Sequence, residues 1–347
     1  MTSPRIIEVS GTSPLERGTQ YGTAAADLIA EAIAYYQEAF ARQARLTWKQ
    51  VQTYVEQWQQ LIARDFPDLH EEMTGIALGA GAKLSEIVAL NCRGEIIYDN
   101  WTAPTDPYDP SHEESDGCTS FSLSAEATGD DHVYSGQNWD WRHAVRDTVV
   151  ILRVVQPPKP TLIMQVEAGQ IGRHGANSEG IALNANGLGG RFGERVGIPQ
   201  TVIRRAVLDS ANISDALRVL VRTDAHIASN ALLTHRSGFS VDIETTPGAH
   251  GWEYADAGVI VHGNHYQAFV PPQLADTHRP MSSDSLMRVP RARLGLREAA
   301  YAEKSIDVRS AIRTAMSDHL GFPDALCAHP DDRLTEVDRW STILSSC

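Results

Sequence analysis

Cys118 is the residue of this 347-residue chain whose type and neighbours most clearly suggest covalent chemistry. It lies in the segment Asp116-Gly-Cys-Thr-Ser-Phe121. A cysteine attacks a carbonyl as its thiolate and therefore needs a group that accepts the thiol proton. If the chain breaks before Cys118, the new α-amine can accept it, because an α-amine has a pKa of about 7.7–8.0. A cysteine beside a glycine is more often a buried structural residue than a nucleophile. The neighbouring motifs are therefore needed to decide between these two interpretations.

Gly117 and Asp140 are predicted to assist this chemistry. Gly117 lacks a Cβ and can adopt strained backbone angles that bring the Cys118 thiol against the preceding carbonyl for an N-to-S acyl shift. Asp140 lies in Gly136-Gln-Asn-Trp-Asp-Trp141 and offers a carboxylate to the new ammonium group or to neighbouring amides. The segment between the two motifs alternates at its ends and contains a Gly-Asp-Asp turn. This pattern predicts a β-hairpin that returns Asp140 to Cys118.

The two motifs resemble those of the acyl-coenzyme A:6-aminopenicillanate acyltransferase family, the isopenicillin N acyltransferase-like cysteine peptidases. That family belongs to the N-terminal nucleophile hydrolases, together with the penicillin V acylases and bile salt hydrolases. Three further segments match in order, at residues 175–187, 261–266 and 284–292. The resemblance covers most of the chain, and several motifs in the same order are far more specific than any one of them.

The resemblance implies a role for individual residues. Cys118 corresponds to the nucleophile and Asp140 to the carboxylate that contacts its amine. The oxyanion hole would consist of the Asn264 side chain and a backbone amide at Asn186 or its neighbour Gly187. Arg288 corresponds to the active-site arginine, whose guanidinium would favour the thiolate and could hold a substrate carboxylate.

Other residues are weaker candidates for a catalytic or metal-binding role. Gln137 stands where bile salt hydrolases have an arginine, which places the chain nearer to the acyltransferase branch. The four cysteines are too scattered for a disulfide framework, and neither Cys-x-x-Cys nor His-Glu-x-x-His occurs, so no metal or cofactor is expected. The histidines near the motifs are expected to be structural rather than to act as bases: His143, His174, His262 and His265.

Composition sets limits on partners and location. Forty-four acidic against thirty basic residues give a net charge of −14, which disfavours nucleic acid and anionic membranes as partners. The N-terminus has no apolar h-region, and no apolar run reaches the 18 or more residues of a membrane span. These features predict a cytoplasmic protein, and they leave self-association into a homo-oligomer open.

Helical patterns dominate before residue 100, at residues 24–45, 47–64, 67–79 and 84–98, whereas strand patterns alternate with helices after Cys118. The class is therefore α+β, and the resemblance makes it the four-layer αββα sandwich of N-terminal nucleophile hydrolases with a mainly helical N-terminal segment. Residues 102–117, rich in Pro, Asp and Ser, predict an exposed loop that presents the scissile bond. Cleavage would leave residues 1–117 and 118–347 as two chains of one catalytic unit.

The predicted function is that of an autoprocessing cysteine amidohydrolase or acyltransferase. It would cleave or transfer the acyl group of a small amide or thioester through an acyl-Cys118 intermediate, with its own cleaved N-terminal chain as partner. The sequence leaves the acyl group, the amine and the final acceptor open. One alternative is an uncleaved binding protein that kept the fold without catalysis. Another, a papain-like peptidase, lacks the Cys-Gly-x-Cys-Trp signature.

Overall fold

The structure is a computed structural model that describes residues 3–100, 117–193, 195–275, 282–300 and 307–347. The chain separates into two compact units. Unit 1 comprises Met1–Thr102, Asp147–Ile181 and Arg191–Ile227, and unit 2 comprises Ala103–Arg146, Ala182–Gly190 and Ala228–Cys347. Unit 1 therefore draws residues from both sides of the predicted cleavage bond. The loop predicted at residues 102–117 lies, apart from Gly117, outside the described residues.

Helices dominate before residue 100 and strands alternate with helices after Cys118, as the sequence patterns predict. The strands are β1 Arg5–Ser10, β2 Thr119–Leu123, β3 Tyr134–Arg142, β4 Val149–Val155, β5 Leu162–Glu167, β6 His174–Asn177, β7 Ile181–Asn184, β8 Ser229–His235, β9 Ser240–Thr246, β10 Ala249–Tyr254, β11 Val259–His262 and β12 Trp340–Ser346. The helices are α1 Pro14–Ala24, α2 Ala26–Ala39, α3 Trp48–Tyr54, α4 Glu56–Asp65, α5 Pro67–Ala80, α6 Leu84–Asn91, α7 Arg93–Asn100, α8 Gln200–Leu208, α9 Ile213–Arg222, α10 Ser285–Ala300 and α11 Val308–Met316.

In unit 1, helices pack with a sheet built around the β4–β5 hairpin. Strand β1 runs parallel to β4, and β4, β5 and β6 pair antiparallel. Two glycine pairs let α1 and α5 cross at short range. A Cβ added to Gly18 would lie 2.0 Å from the Glu72 carbonyl oxygen, and one on Gly75 would lie 2.2 Å from that of Leu15. Neither position can hold a larger residue at this separation.

In unit 2, the four-stranded sheet runs in the order β11-β2-β3-β12, all antiparallel. Side chains of β2 point alternately to its two faces. Phe121 and Leu123 join a buried cluster with Val289 and Leu296 of α10. On the opposite face, the Ser122 hydroxyl lies 2.8 Å from that of Ser240 in β9. Unit 2 thus stacks helices, the four-stranded sheet and the strands β8 to β10.

The α+β class is confirmed, and so are the hairpin before Asp140 and a second one that the strand patterns at residues 149–155 and 161–166 predict around a proline-rich turn. Strands β2 and β3 pair with Thr119 opposite Asn138, and β4 pairs with β5. The predicted helix at residues 24–45 begins earlier, as α1, and ends in a π-helical turn at Phe40–Ala44. Strands β1, β6, β10 and β12 were not predicted. Among the described residues, no single helix is long and apolar enough to cross a membrane, although α5 and α6, bent by 119°, pass that test as a pair.

Candidate active site

Cys118 immediately precedes β2 in unit 2, and its side chain is fully buried. Its Sγ atom lies 3.9 Å from the backbone oxygen of Asp140. The pairing of Thr119 with Asn138, continued by two residues, places Gly117 opposite Asp140. Consistent with this register, a Cβ on Gly117 would lie only 3.1 Å from the Asp140 Cβ and 3.3 Å from its Oδ2. The hairpin therefore places the Asp140 side chain beside the Gly117–Cys118 peptide bond.

The Asp140 carboxylate is buried and held from the neighbouring strand β12. Its Oδ1 atom accepts a hydrogen bond of 2.5 Å from the hydroxyl of Thr342, which pairs with it across the sheet. The same hydroxyl accepts from the backbone N–H of Ala328 at 2.9 Å. Burial and the negative charge of Asp140 raise the pKa of the nearby Cys327 thiol.

Arg288, in the first turns of α10, is fully buried and joins several parts of this site. Although burial acts to lower the pKa of Arg288, the carboxylates of Asp284 and Asp140 outweigh it and raise the pKa. Every N–H of the guanidinium donates to a protein oxygen. The acceptors are Asp284 Oδ2 at 2.6 Å, Cys118 O at 2.8 Å, Thr119 Oγ1 at 2.7 Å, Asn264 Oδ1 at 3.0 Å and Ser282 Oγ at 3.1 Å.

These contacts bear on one expectation for Arg288. A guanidinium has five N–H donors, and all five are used here. In this arrangement no guanidinium N–H of Arg288 is left over for a substrate carboxylate, and the expected contact with substrate stays a prediction. Its contacts show instead that it fixes the start of β2 and the Asn264 side chain.

Asn264 lies just after β11 and is fully buried. Its backbone N–H donates to the Ser285 hydroxyl at 2.7 Å. Its Oδ1 accepts from Arg288, so its Nδ2 faces the other way and donates to the Gly187 oxygen at 3.0 Å. An amide nitrogen carries two hydrogens, and Gly187 takes one of them.

Asn186, the predicted backbone oxyanion donor, is buried within the same unit. Its backbone N–H donates to the Oδ1 atom of Asn230 at 2.5 Å. An amide N–H has a single hydrogen, so this bond counts against Asn186 as the second oxyanion donor. Its side chain donates to the Ser120 hydroxyl at 3.1 Å and to the His262 oxygen at 2.9 Å. Asn186 thus braces the start of β2 against β11.

A buried charged network that the sequence analysis missed lies next to Asn186 and to the segment that follows Asn264. Asn230 donates to Asp242 at 2.6 Å, and His262 lies 2.9 Å from a Glu244 oxygen and 3.5 Å from an Asp242 oxygen. Glu244 also accepts from the backbone N–H groups of residues 267–269, shortly after Asn264. Burial raises the pKa of Asp242 to about 6. Burial acts to lower the pKa of His262, but the two carboxylates raise it to about 9.

Two polar residues of the Gly136–Trp141 motif prove to be structural clamps. Gln137 both donates to and accepts from the backbone of Ala185, at 3.1 and 3.0 Å. Asn138 donates to the carbonyl oxygens of Met316 and Leu326, both at 2.8 Å. The motif itself was the signal that could have identified them, because polar residues inside a buried strand need partners.

The remaining predicted histidines take structural positions. His143 lies 2.8 Å from the Ser341 hydroxyl, and His265 lies 2.8 Å from that of Ser285. His174 lies in β6, in unit 1. His262 belongs to the charged network described above.

A buried thiol beside an aspartate, with an oriented amide nearby, is an arrangement that suits acyl transfer. The model of the acyl-coenzyme A:6-aminopenicillanic acid acyl-transferase family matches residues 127–321. The chain is 31% identical over 260 residues to the 40 kDa form of acyl-coenzyme A:6-aminopenicillanic-acid-acyltransferase of Emericella nidulans, covering 75% of this chain and 68% of the relative. The chain belongs to this family, as the sequence predicted.

Two solved structures are also similar. A variant of the conjugated bile acid hydrolase of Clostridium perfringens has a TM-score of 0.40 at 12% identity, over 59% of this chain and 81% of that chain. The penicillin V acylase of Agrobacterium tumefaciens has a TM-score of 0.36 at 18% identity, over 65% of this chain and 77% of that chain. The residues that the family model matches include Asp140, Asn264 and Arg288, whereas Cys118 precedes them.

Proposed function

We propose that this protein is an autoprocessing N-terminal cysteine enzyme that cleaves or transfers the acyl group of a small amide or thioester. Residues 1–117 and 118–347 would form its two mature chains. The observation that carries the proposal is the Arg288 clamp. One guanidinium donates to the carbonyl of Cys118 and to the side-chain oxygen of Asn264, so nucleophile and amide donor are held by a single rigid group.

Maturation begins with attack of the Cys118 sulfur on the Gly117 carbonyl carbon. The S–C bond forms, the Gly117–Cys118 C–N bond breaks, and the departing nitrogen takes up the thiol proton to become an amine. Water then hydrolyses the thioester, leaving a carboxylate on Gly117 and a free thiol and α-amine on Cys118. The close approach of Gly117 to Asp140 supports this step, because the new ammonium group would form beside a buried carboxylate.

Turnover uses the same thiol on an external carbonyl. The α-amine accepts the thiol proton as sulfur attacks, and it later protonates the leaving amine or thiolate. The second Nδ2 hydrogen of Asn264 donates to the tetrahedral oxyanion, a contact typically worth about 3–4 kcal/mol of barrier. Because the N–H of Asn186 is engaged by Asn230, we assign the backbone donor to Gly187, whose carbonyl already lies against Asn264.

The acyl-cysteine intermediate finally reacts with water or with an amine. The family and the relative from Emericella nidulans are both named as acyltransferases, which favours an acyl thioester as donor and an amine as acceptor. If an acyl amide is the donor and water is the acceptor, the same acyl-cysteine intermediate leads to hydrolysis. How far the site excludes water decides between these two outcomes.

Intact-protein mass spectrometry tests the proposal. The wild type should give two chains of about 13 and 25 kDa, from apportioning 38.0 kDa by residue number, with the second beginning at Cys118. Cys118→Ala should remain one chain, whereas Cys347→Ser, at an exposed position, should mature normally. A wild type that stays whole and binds acyl compounds without turning them over would identify a binding protein instead.

A further inference from the structure

Two histidines and a cysteine that the proposed chemistry does not use converge in the segment after α11. They are His319, Cys327 and His329, and their ligand atoms all lie within 4.8 Å of one another. The two Nε2 atoms are 2.9 Å apart, and the Cys327 Sγ lies 4.0 Å from the Nε2 of His329. A tetrahedral zinc ion with bonds of about 2.0–2.3 Å needs ligand atoms separated by about 3.3–3.6 Å. The two separations of 2.9 and 4.0 Å lie on either side of that spacing.

The backbone of this segment holds the three residues together without any metal. The Cys327 N–H donates to the Asp318 oxygen at 3.0 Å, which brings residue 319 beside residue 327. The His329 N–H donates to the Pro323 oxygen, also at 3.0 Å. Asn138 ties the ends of the segment together through Met316 and Leu326. A prearranged set of ligands loses little conformational freedom on binding.

We propose that His319, Cys327 and His329 bind a divalent transition metal of the zinc class. Two imidazoles and one thiolate suit Zn²⁺, because it accepts both nitrogen and sulfur ligands, whereas Mg²⁺ and Ca²⁺ prefer oxygen. His319 is exposed, so the fourth position opens to solvent. Binding replaces the proton of the Cys327 thiol, which passes to solvent. The spacing His-x7-Cys-x-His matches neither Cys-x-x-Cys nor His-Glu-x-x-His.

The site is adjacent to the candidate active site through a short chain of contacts. Ala328, between two of the ligands, exchanges two hydrogen bonds with Thr342, whose hydroxyl donates to Asp140. A metal that fixes residues 327–329 would therefore stiffen the partner of the Asp140 carboxylate. The metal site does not depend on the proposed function, since its ligands lie outside the reacting groups.

Cobalt binding to the full-length Cys118→Ala protein tests the site. This background avoids chelation by a free N-terminal cysteine, and Co²⁺ reports thiolate ligands through a near-ultraviolet charge-transfer band. We expect one Co²⁺ per chain, a charge-transfer band and displacement by Zn²⁺. Adding Cys327→Ser should abolish the band, and adding His319→Ala or His329→Ala should weaken binding roughly tenfold or more.

Cys347→Ser in the same background is the matched control and should leave the band and the affinity unchanged. Zn²⁺ should also raise the melting temperature of the background protein but not of the Cys327→Ser form. Melting curves without metal show whether each variant is folded. Failure to bind Co²⁺ in the folded background, or a band that persists after Cys327→Ser, would overturn the assignment.

Discussion

The Nη2 atom of Arg288 donates to the Oδ1 atom of Asn264 at 3.0 Å, and this hydrogen bond determines which way the Asn264 amide faces. With its oxygen held by the guanidinium, the amide can only present its nitrogen to the opposite side. The other four N–H groups of Arg288 are also engaged by protein oxygens, so the guanidinium holds several neighbouring groups in place at once.

Arg288→Lys should lower kcat by about a hundredfold or more. A lysine keeps the positive charge but cannot reproduce a planar fork that reaches the Cys118 oxygen and Asn264 together. The loss should be equal for substrates with and without a carboxylate, because every N–H of Arg288 is already engaged by a protein oxygen. Steady-state kinetics on a matched pair of acyl amides checks this. A KM increase confined to the carboxylate-bearing substrate would restore the substrate-binding role.

A double-mutant cycle provides the control for Arg288. Asn264→Ala alone should lower kcat about 10²–10³-fold by removing the oxyanion donor. Combining it with Arg288→Lys should add little, because both changes disable one hydrogen-bonded unit. Independent, multiplicative losses would show that Arg288 acts on catalysis by another route.

Asp140→Asn should abolish acylation of Cys118 while leaving the melting temperature near that of the wild type. The amide retains the shape of the side chain and can still accept from Thr342, but it cannot balance the charge of an N-terminal ammonium. Single-turnover acylation of matured protein, measured beside a melting curve, separates the two effects. Thr342→Val should give a smaller fall, since the carboxylate stays. Normal acylation with a clearly lowered melting temperature would reduce Asp140 to a structural residue.

Gly117→Ala should slow maturation without altering the mature enzyme. The added methyl group would crowd the Asp140 side chain at 3.1–3.3 Å, so the scissile peptide must shift. After cleavage residue 117 belongs to the other chain and no longer precedes the nucleophile. A time course of chain separation measures the first effect, and turnover per mature molecule measures the second. Unchanged maturation would mean that the close approach does not matter for the acyl shift.

His262→Gln should remove a pH-dependent part of the stability. The pKa of His262 is about 9 in the folded chain against about 6.5 when unfolded, so its protonation stabilises the fold below pH 6.5. That contribution, up to about 3 kcal/mol, is lost as the pH rises through 9. Asp242 titrates lower, with a pKa of about 6, and so acts mainly outside this window.

Urea unfolding of the single-chain Cys118→Ala protein between pH 6.5 and 9, with and without His262→Gln, measures the difference. His143→Gln is the matched control, because it replaces an imidazole that lies against the Ser341 hydroxyl and outside the network of Asp242, Glu244 and His262. In the His143→Gln control, the free energy of unfolding should depend on pH as it does without that substitution. A slope that also survives in His262→Gln would exclude His262 as its source.

The sequence predicted the parts of the site that lie in short motifs, because local spacing determines them. The hairpin between Cys118 and Asp140 follows from alternation and a turn, and pairing then places the two together. The family resemblance identified Asn264 and Arg288, and the structure joins them to Cys118. The family and the α+β class are confirmed, whereas cleavage stays a prediction.

The rest could not be predicted, since it depends on contacts between distant residues. Thr342 reaches Asp140 across about two hundred positions, and no local pattern marks a threonine as its partner. The engagement of all five Arg288 donors likewise follows only from tertiary packing. The metal ligands are adjacent because the segment from residue 318 to residue 329 folds back on itself, which their spacing alone does not indicate.

The pairing of β1 with β4 has a consequence for the processed protein. Strand β1 precedes the cleavage bond and β4 follows it, yet they share a six-residue parallel register from Arg5 opposite Val150 to Ser10 opposite Val155. A cut at Gly117 would therefore turn an intramolecular sheet into a heterodimer interface. Unfolding would then release two polypeptides whose reassembly is bimolecular and depends on concentration. The lifetime of the folded mature enzyme would therefore be set by a slow rate of unfolding, because refolding requires the two chains to meet again.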